Sequence, residues 1–185
     1  MSWETKRVPS SSQTVGPYFM IGLDYLIDRL ARMDVVAEGA IEIRGRVLDR
    51  DGAPVPDAML EFWTAGHTSA SGVSEEHVIP DGFRRAATDL EGCFAASITR
   101  PVTSRMEDGR EQAPHAMVLV FARGLMRNLI TRVYLEDETG NESDPVLLQV
   151  PAERRRTLLA KREGTNIYRW DVLLQGANET VFFAW

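Results

Sequence analysis

From residue 39 onward the chain alternates. Ile41, Ile43, Gly45 and Val47 fall on one side of an extended backbone while Glu42, Arg44 and Arg46 fall on the other, the period-2 signature of a half-buried strand. Residues 49–57, Asp-Arg-Asp-Gly-Ala-Pro-Val-Pro-Asp, bring an Asp-Gly pair and two prolines. A turn is expected there, leading to a second strand at Ala58–Trp63 in a hairpin-like pair with the first. Further strands are expected at Cys93–Ile98, after the turn Asp89-Leu90-Glu91-Gly92, and then at His115–Ala122 and Leu129–Leu135, two nearly unbroken apolar runs. Near the end, Tyr168, Trp170, Val172 and Leu174 alternate with Arg169, Asp171 and Leu173, and Val181–Trp185 is apolar again. Such runs suit the interior between two stacked sheets.

Helix is the minor component. Asp24–Met33 carries Tyr25, Leu26, Leu30 and Met33 at helical spacing, and Ala152–Arg162 reads as a second short helix with a basic solvated face. Gly66–Asp81 is rich in Ser, Gly, Glu and His, and Pro101–Ala113 is charged; both read as long loops. The pattern predicts an all-β fold. Residues 39–185 form a two-sheet β-sandwich, and residues 1–38 form an N-terminal arm with a short helix.

With 185 residues the chain is long enough for one substantial core. Cys93 is its single cysteine, so no intramolecular disulfide can form. A net charge of −6 argues against nucleic acid as the main partner, since neutralising phosphates needs a basic surface. No run approaches the roughly 18 apolar residues of a membrane span, and residues 1–7 have no signal-peptide core. No membrane association and a cytoplasmic location are expected.

Self-contained catalysis is hard to find in the motifs. HExxH, Gly-x-Ser-x-Gly, a phosphate-cradling glycine loop and Cys-x-x-Cys are all absent. His67, His77 and His115 match no standard metal spacing, so a self-sufficient enzyme using them with a metal is the weakest reading. Arg123, by contrast, follows the apolar run 118–122 and precedes Gly124, which holds a guanidinium at a strand end. It suits either a local ion pair or bidentate recognition of an anionic ligand, and spacing leaves both open. In the arm, Gly16-Pro17 fixes the backbone while Tyr18, Phe19 and Ile21 give apolar anchors, so this segment is expected to dock.

Taken as a set, residues 14–18 (Thr-Val-Gly-Pro-Tyr), 21–23 (Ile-Gly-Leu), 45–47 (Gly-Arg-Val), 54–58 (Pro-Val-Pro-Asp-Ala), 61–63 (Glu-Phe-Trp), 82–85 (Gly-Phe-Arg-Arg), 114–115 (Pro-His) and 121–124 (Phe-Ala-Arg-Gly) resemble the intradiol ring-cleavage dioxygenases. The resemblance extends to residues 158–162 and 176–183 and so covers nearly the whole chain. It implies a β-sandwich in an enzyme of homologous α and β chains. In that enzyme ferric iron, Fe(3+), is held by two tyrosines and two histidines of the β chain, and the small molecules are protocatechuate and O2. In the iron-bearing chain the second histidine follows the first by two positions; here His115 is followed by Ala116 and Met117, and a thioether is a poor ligand for ferric iron. The stretch from Leu26 to Val133, where the tyrosinates should fall, contains no tyrosine.

The resemblance therefore implies no metal ligand and no catalytic residue in this chain by itself. It assigns Thr14, Gly16, Pro17 and Tyr18 to the wall of the substrate pocket of a partner β chain, and Arg123 to positive charge near the aromatic acid. The alternative is an inactive transthyretin-like sandwich serving as a binding or structural module, against which the apolar arm argues.

Overall fold

The computed structural model describes residues 39–65 and 82–184. The arm, the expected helix Asp24–Met33, the loop Gly66–Asp81 and Trp185 lie outside the described residues. Among the described residues eleven strands follow one another: β1 (Ala40–Leu48), β2 (Met59–Thr64), β3 (Phe83–Ala87), β4 (Cys93–Thr99), β5 (Ser104–Arg105), β6 (Glu111–Gln112), β7 (His115–Phe121), β8 (Leu129–Leu135), β9 (Leu159–Gly164), β10 (Ile167–Arg169) and β11 (Val172–Leu173). The one α-helix among the described residues, α1, is Ala152–Arg155.

Nine of these strands make one mixed sheet, and β5 pairs with β6 in a small hairpin of its own. Beginning from β4, the large sheet runs through β1, then β10 with β11 continuing it, then β9, β8, β7, β2 and β3. The outermost strands, β3 and β4, lie beside each other in space, so the sheet is curled nearly closed. The two expected layers are therefore opposite halves of one curled sheet. Alternation built it as expected: Ile41, Ile43 and Val47 from β1 meet Phe62 from β2, Phe94 and Ile98 from β4, and Val118 and Val120 from β7 in the main core. Phe62 and Phe94 bridge the halves with ring centroids 6.2 Å apart.

Gly45 occupies the inward position where a larger side chain would continue the series. A Cβ there would stand 1.7 Å from the Trp170 carbonyl oxygen. The strand must pass that close because Trp170 N–H donates to the Arg44 carbonyl and Arg46 N–H donates to Asp171 Oδ1, both at 2.9 Å. Only glycine has no side chain to obstruct that approach.

Three expectations are corrected. First, β1 and β2 are not a hairpin: β1 pairs antiparallel with β4 and parallel with β10 and β11, while β2 pairs with β3 and β7. The proline-bearing turn, with Asp57 at φ 61°, carries the chain from one half of the sheet to the other. Second, the helix expected over Ala152–Arg162 ends at Arg155; a 3-10 turn follows, and Leu159 and Ala160 pair parallel with Tyr134 and Leu135 in β9. Third, Pro101–Ala113 is not wholly loop, since it holds β5 and β6. The apolar segment Val181–Ala184 belongs to no strand and packs Phe182 against the main core. It runs along β8 through Thr131 Oγ1, which donates to the Val181 carbonyl at 2.7 Å, and through Phe183 N–H, which donates to the Ile130 carbonyl at 2.8 Å.

Candidate functional site

The side chains facing away from the main core on β3, β2, β7 and β8 line up in rows set by the strand register. One row is Phe83, Trp63, Met117 and Arg132, and the next is Arg85, Glu61, Leu119 and Ile130. Adjacent members stand on strands about 4.8 Å apart. Trp63 lies against Phe83 with centroids 4.5 Å apart, and the Arg85 guanidinium sits over the same ring at 5.5 Å. Glu61 and Arg85 are direct cross-strand partners and form a largely buried ion pair, with Arg85 Nε donating to Glu61 Oε1 at 3.0 Å.

At the β7–β8 end the same face carries a buried polar network. Arg132 Nη1 donates to Gln112 Oε1 at 3.1 Å and to the Tyr134 hydroxyl at 3.3 Å. The Tyr134 hydroxyl donates in turn to Asp144 Oδ1 at 3.2 Å. Asp144 also accepts from the backbone N–H groups of Ala113, Val146 and Leu147 at 2.8 to 2.9 Å, which fixes the turn after β8. Burial pushes the Tyr134 phenol upward, so it remains protonated at neutral pH. His115 stacks on Tyr134 with centroids 5.2 Å apart. Burial lowers its pKa below the ordinary 6.5, only partly opposed by the 2.8 Å hydrogen bond from Nδ1 to the Ala113 carbonyl.

This donor set does not fit ferric iron. Among the described residues no three His, Cys, Asp or Glu side chains gather around one point. Nδ1 of His115 is engaged, Met117 follows two positions on, and the nearest phenol is held in its neutral form between Arg132 and Asp144.

Arg123 lies at the other end of β7, eight residues from His115, or about 25 Å at strand rise. Its Nη2 is 3.7 Å from Asp57 Oδ2, with the Arg123 side chain 55% exposed. The strand-end ion pair is thus present, and the guanidinium is also open to solvent. His115 and Arg123 are not brought together, while Thr14, Gly16, Pro17 and Tyr18, as well as His67 and His77, lie outside the described residues. Reading the sequence missed Gln112, Arg132 and Asp144. One signal was available for Arg132, a charge in the middle of the apolar run of β8.

No family model matches the sequence. The chain is 40% identical, over an alignment of 200 positions covering 96% of it and 97% of the relative, to the protocatechuate 3,4-dioxygenase alpha chain of Burkholderia cepacia. It is 35% identical to the protein of the same name from Pseudomonas putida, over 93% of this chain and 94% of that one. Among solved structures it resembles hydroxyquinol 1,2-dioxygenase from Pseudomonas putida DLL-E4, with a TM-score of 0.57 at 22% identity over 76% of this chain and 58% of that one. It also resembles the dioxygenase domain of a carbohydrate-binding fusion from Streptomyces sp. SirexAA-E, with a TM-score of 0.54 at 22% identity over 78% and 84%. These structural likenesses speak for the fold, and the near full-length identities speak for the lineage. On that ground the chain belongs to the family of protocatechuate 3,4-dioxygenase alpha chains.

Proposed function

We propose that this chain is the α subunit of a protocatechuate 3,4-dioxygenase, which cleaves protocatechuate with O2 between its two hydroxylated carbons to 3-carboxy-cis,cis-muconate in the cytoplasm. The observation that carries this reading is the 40% identity to an alpha chain over nearly the full length of both proteins. The donor set around His115, unfit for ferric iron, supports placing the iron in a homologous β chain.

The task of this chain is then to shape and charge the pocket. Thr14, Gly16, Pro17 and Tyr18 would wall it, positioning the ring and excluding water. Arg123 would offer its fork to the substrate carboxylate, a charge-assisted hydrogen bond of about 1.5–3 kcal/mol that an uncharged catechol cannot make. The exposed guanidinium, held at 3.7 Å from Asp57, is consistent with a group that can turn from one carboxylate to another.

Co-expression with a candidate β chain bearing the Tyr, Tyr, His-x-His pattern tests the reading. The pair should consume O2 and cleave protocatechuate, and the chain purified by itself from iron-replete medium should do neither and carry no stoichiometric iron. One iron per chain with a visible tyrosinate band, or a pair without ring cleavage, would overturn it.

A further inference from the structure

Arg132 is a buried cation without a carboxylate of its own. It retains 8% of its surface, and among the described residues its partners are neutral: the Gln112 carboxamide, the Tyr134 hydroxyl, and the Phe183 ring 6.0 Å from the guanidinium centre. Asp144 is one hydrogen bond further away behind Tyr134, and its two oxygens already accept four hydrogen bonds. A charge buried among neutral groups is costly, and folds usually pair it. Here both hydrogen bonds use Nη1, leaving Nε and Nη2 without acceptors among the described residues. Arg132 nonetheless keeps part of its surface, so the side chain is not wholly sealed from solvent.

The surroundings narrow the ligand. Gln112 spends its oxygen on Arg132, which leaves its amide nitrogen as a further donor beside the guanidinium. His115 is neutral at neutral pH and does not compete for an anion. Along the same row of the sheet lie the thioether of Met117 and then the exposed indole of Trp63, an apolar track leading away from the charge. An anionic head and a flat apolar body match this arrangement.

We propose that Arg132 and Gln112 form a binding site of this chain for an aromatic carboxylate, whose carboxylate pairs with the free edge of the guanidinium while its ring lies over Met117 toward Trp63. The inference rests on residues within this chain and does not depend on the pocket role proposed for Arg123.

Benzoate is the probe, titrated into the purified full-length chain while the melting temperature and the calorimetric Kd are followed, because a ligand that binds only the folded state raises the melting temperature with concentration. Benzoate should stabilise the chain. Benzamide, of the same shape without charge, and acetate, which has charge without a ring, should each bind at least about tenfold more weakly. Arg132→Met should abolish the benzoate response, Arg132→Lys should weaken it about tenfold by losing the fork, and Arg105→Ala, at an exposed arginine, should leave it unchanged. A benzoate response unaltered in Arg132→Met or Arg132→Lys would overturn the site. So would no response in the natural chain, or benzamide or acetate matching benzoate. Those ligand comparisons decide the matter even where Arg132→Met fails to fold.

Discussion

Replacing Arg123 with alanine separates a structural arginine from one that reads substrate. Its ion pair with Asp57 spans 3.7 Å, with side chains 55% and 34% exposed, so water screens it and its loss should lower stability by at most about 1 kcal/mol. A bidentate bond to a substrate carboxylate is worth more, about 1.5–3 kcal/mol, or about a tenfold to hundredfold change in kcat/KM. In the assembled enzyme Arg123→Ala should therefore depress protocatechuate turnover by that factor, leave uncharged catechol within about twofold, and barely move the urea midpoint. Asp57→Asn sharpens the test. Asn tolerates the positive φ of 61° at this turn, so the backbone keeps its course while the competing carboxylate disappears. Protocatechuate kcat/KM should then hold or rise. Equal losses for both substrates in Arg123→Ala, or a fall for protocatechuate in Asp57→Asn matching that of Arg123→Ala, would refute the recognition role and leave Arg123 as the partner of Asp57.

Gly45→Ala should destabilise by about 3 kcal/mol, read as a lower urea midpoint, because the new methyl meets a backbone carbonyl that hydrogen bonds on either side prevent from yielding; a midpoint within error of the natural chain would mean that β1 and the Trp170 segment can part freely. Glu61→Gln should cost about 3 kcal/mol by leaving the Arg85 charge buried, whereas Glu61→Leu combined with Arg85→Met should recover most of that, and a double variant no better than the single one would contradict the account. His115 has a depressed pKa in the folded chain, so the unfolded chain binds more protons below 6.5. Its contribution is present above that pH and is lost as pH falls. His115→Gln should flatten the decline in stability between pH 7 and pH 5, and an unchanged slope would show that other groups set it.

The strands that alternate cleanly were legible. β1 turns its charges outward and buries Ile41, Ile43 and Val47, β4 and β7 alternate as explicitly, and β8 was legible as an apolar run instead. β3 was not, because its outward Arg85 is neutralised by Glu61 from another strand, a compensation that no local window contains. β9 reads as helix from the spacing of Leu158, Leu159 and Ala160, but pairing with Tyr134 and Leu135 overrides local preference. The same limit governed the site. Arg123 announces itself at the end of an apolar run, whereas the network of Arg132, Gln112, Tyr134 and Asp144 exists only once register and turns have brought 112, 132 and 144 together.

The position of β1 has a further consequence, for synthesis. This strand lies between β4 and the β10–β11 pair, and the Arg46–Asp171 bond closes a loop of 125 residues. The first strand of the described residues to leave a ribosome thus waits for nearly the last before its second edge is covered. Folding is dominated by distant contacts and should be slow. Until residues 167–173 emerge, β1 offers an open edge to any other extended chain, so the nascent protein passes through its most aggregation-prone state late in translation.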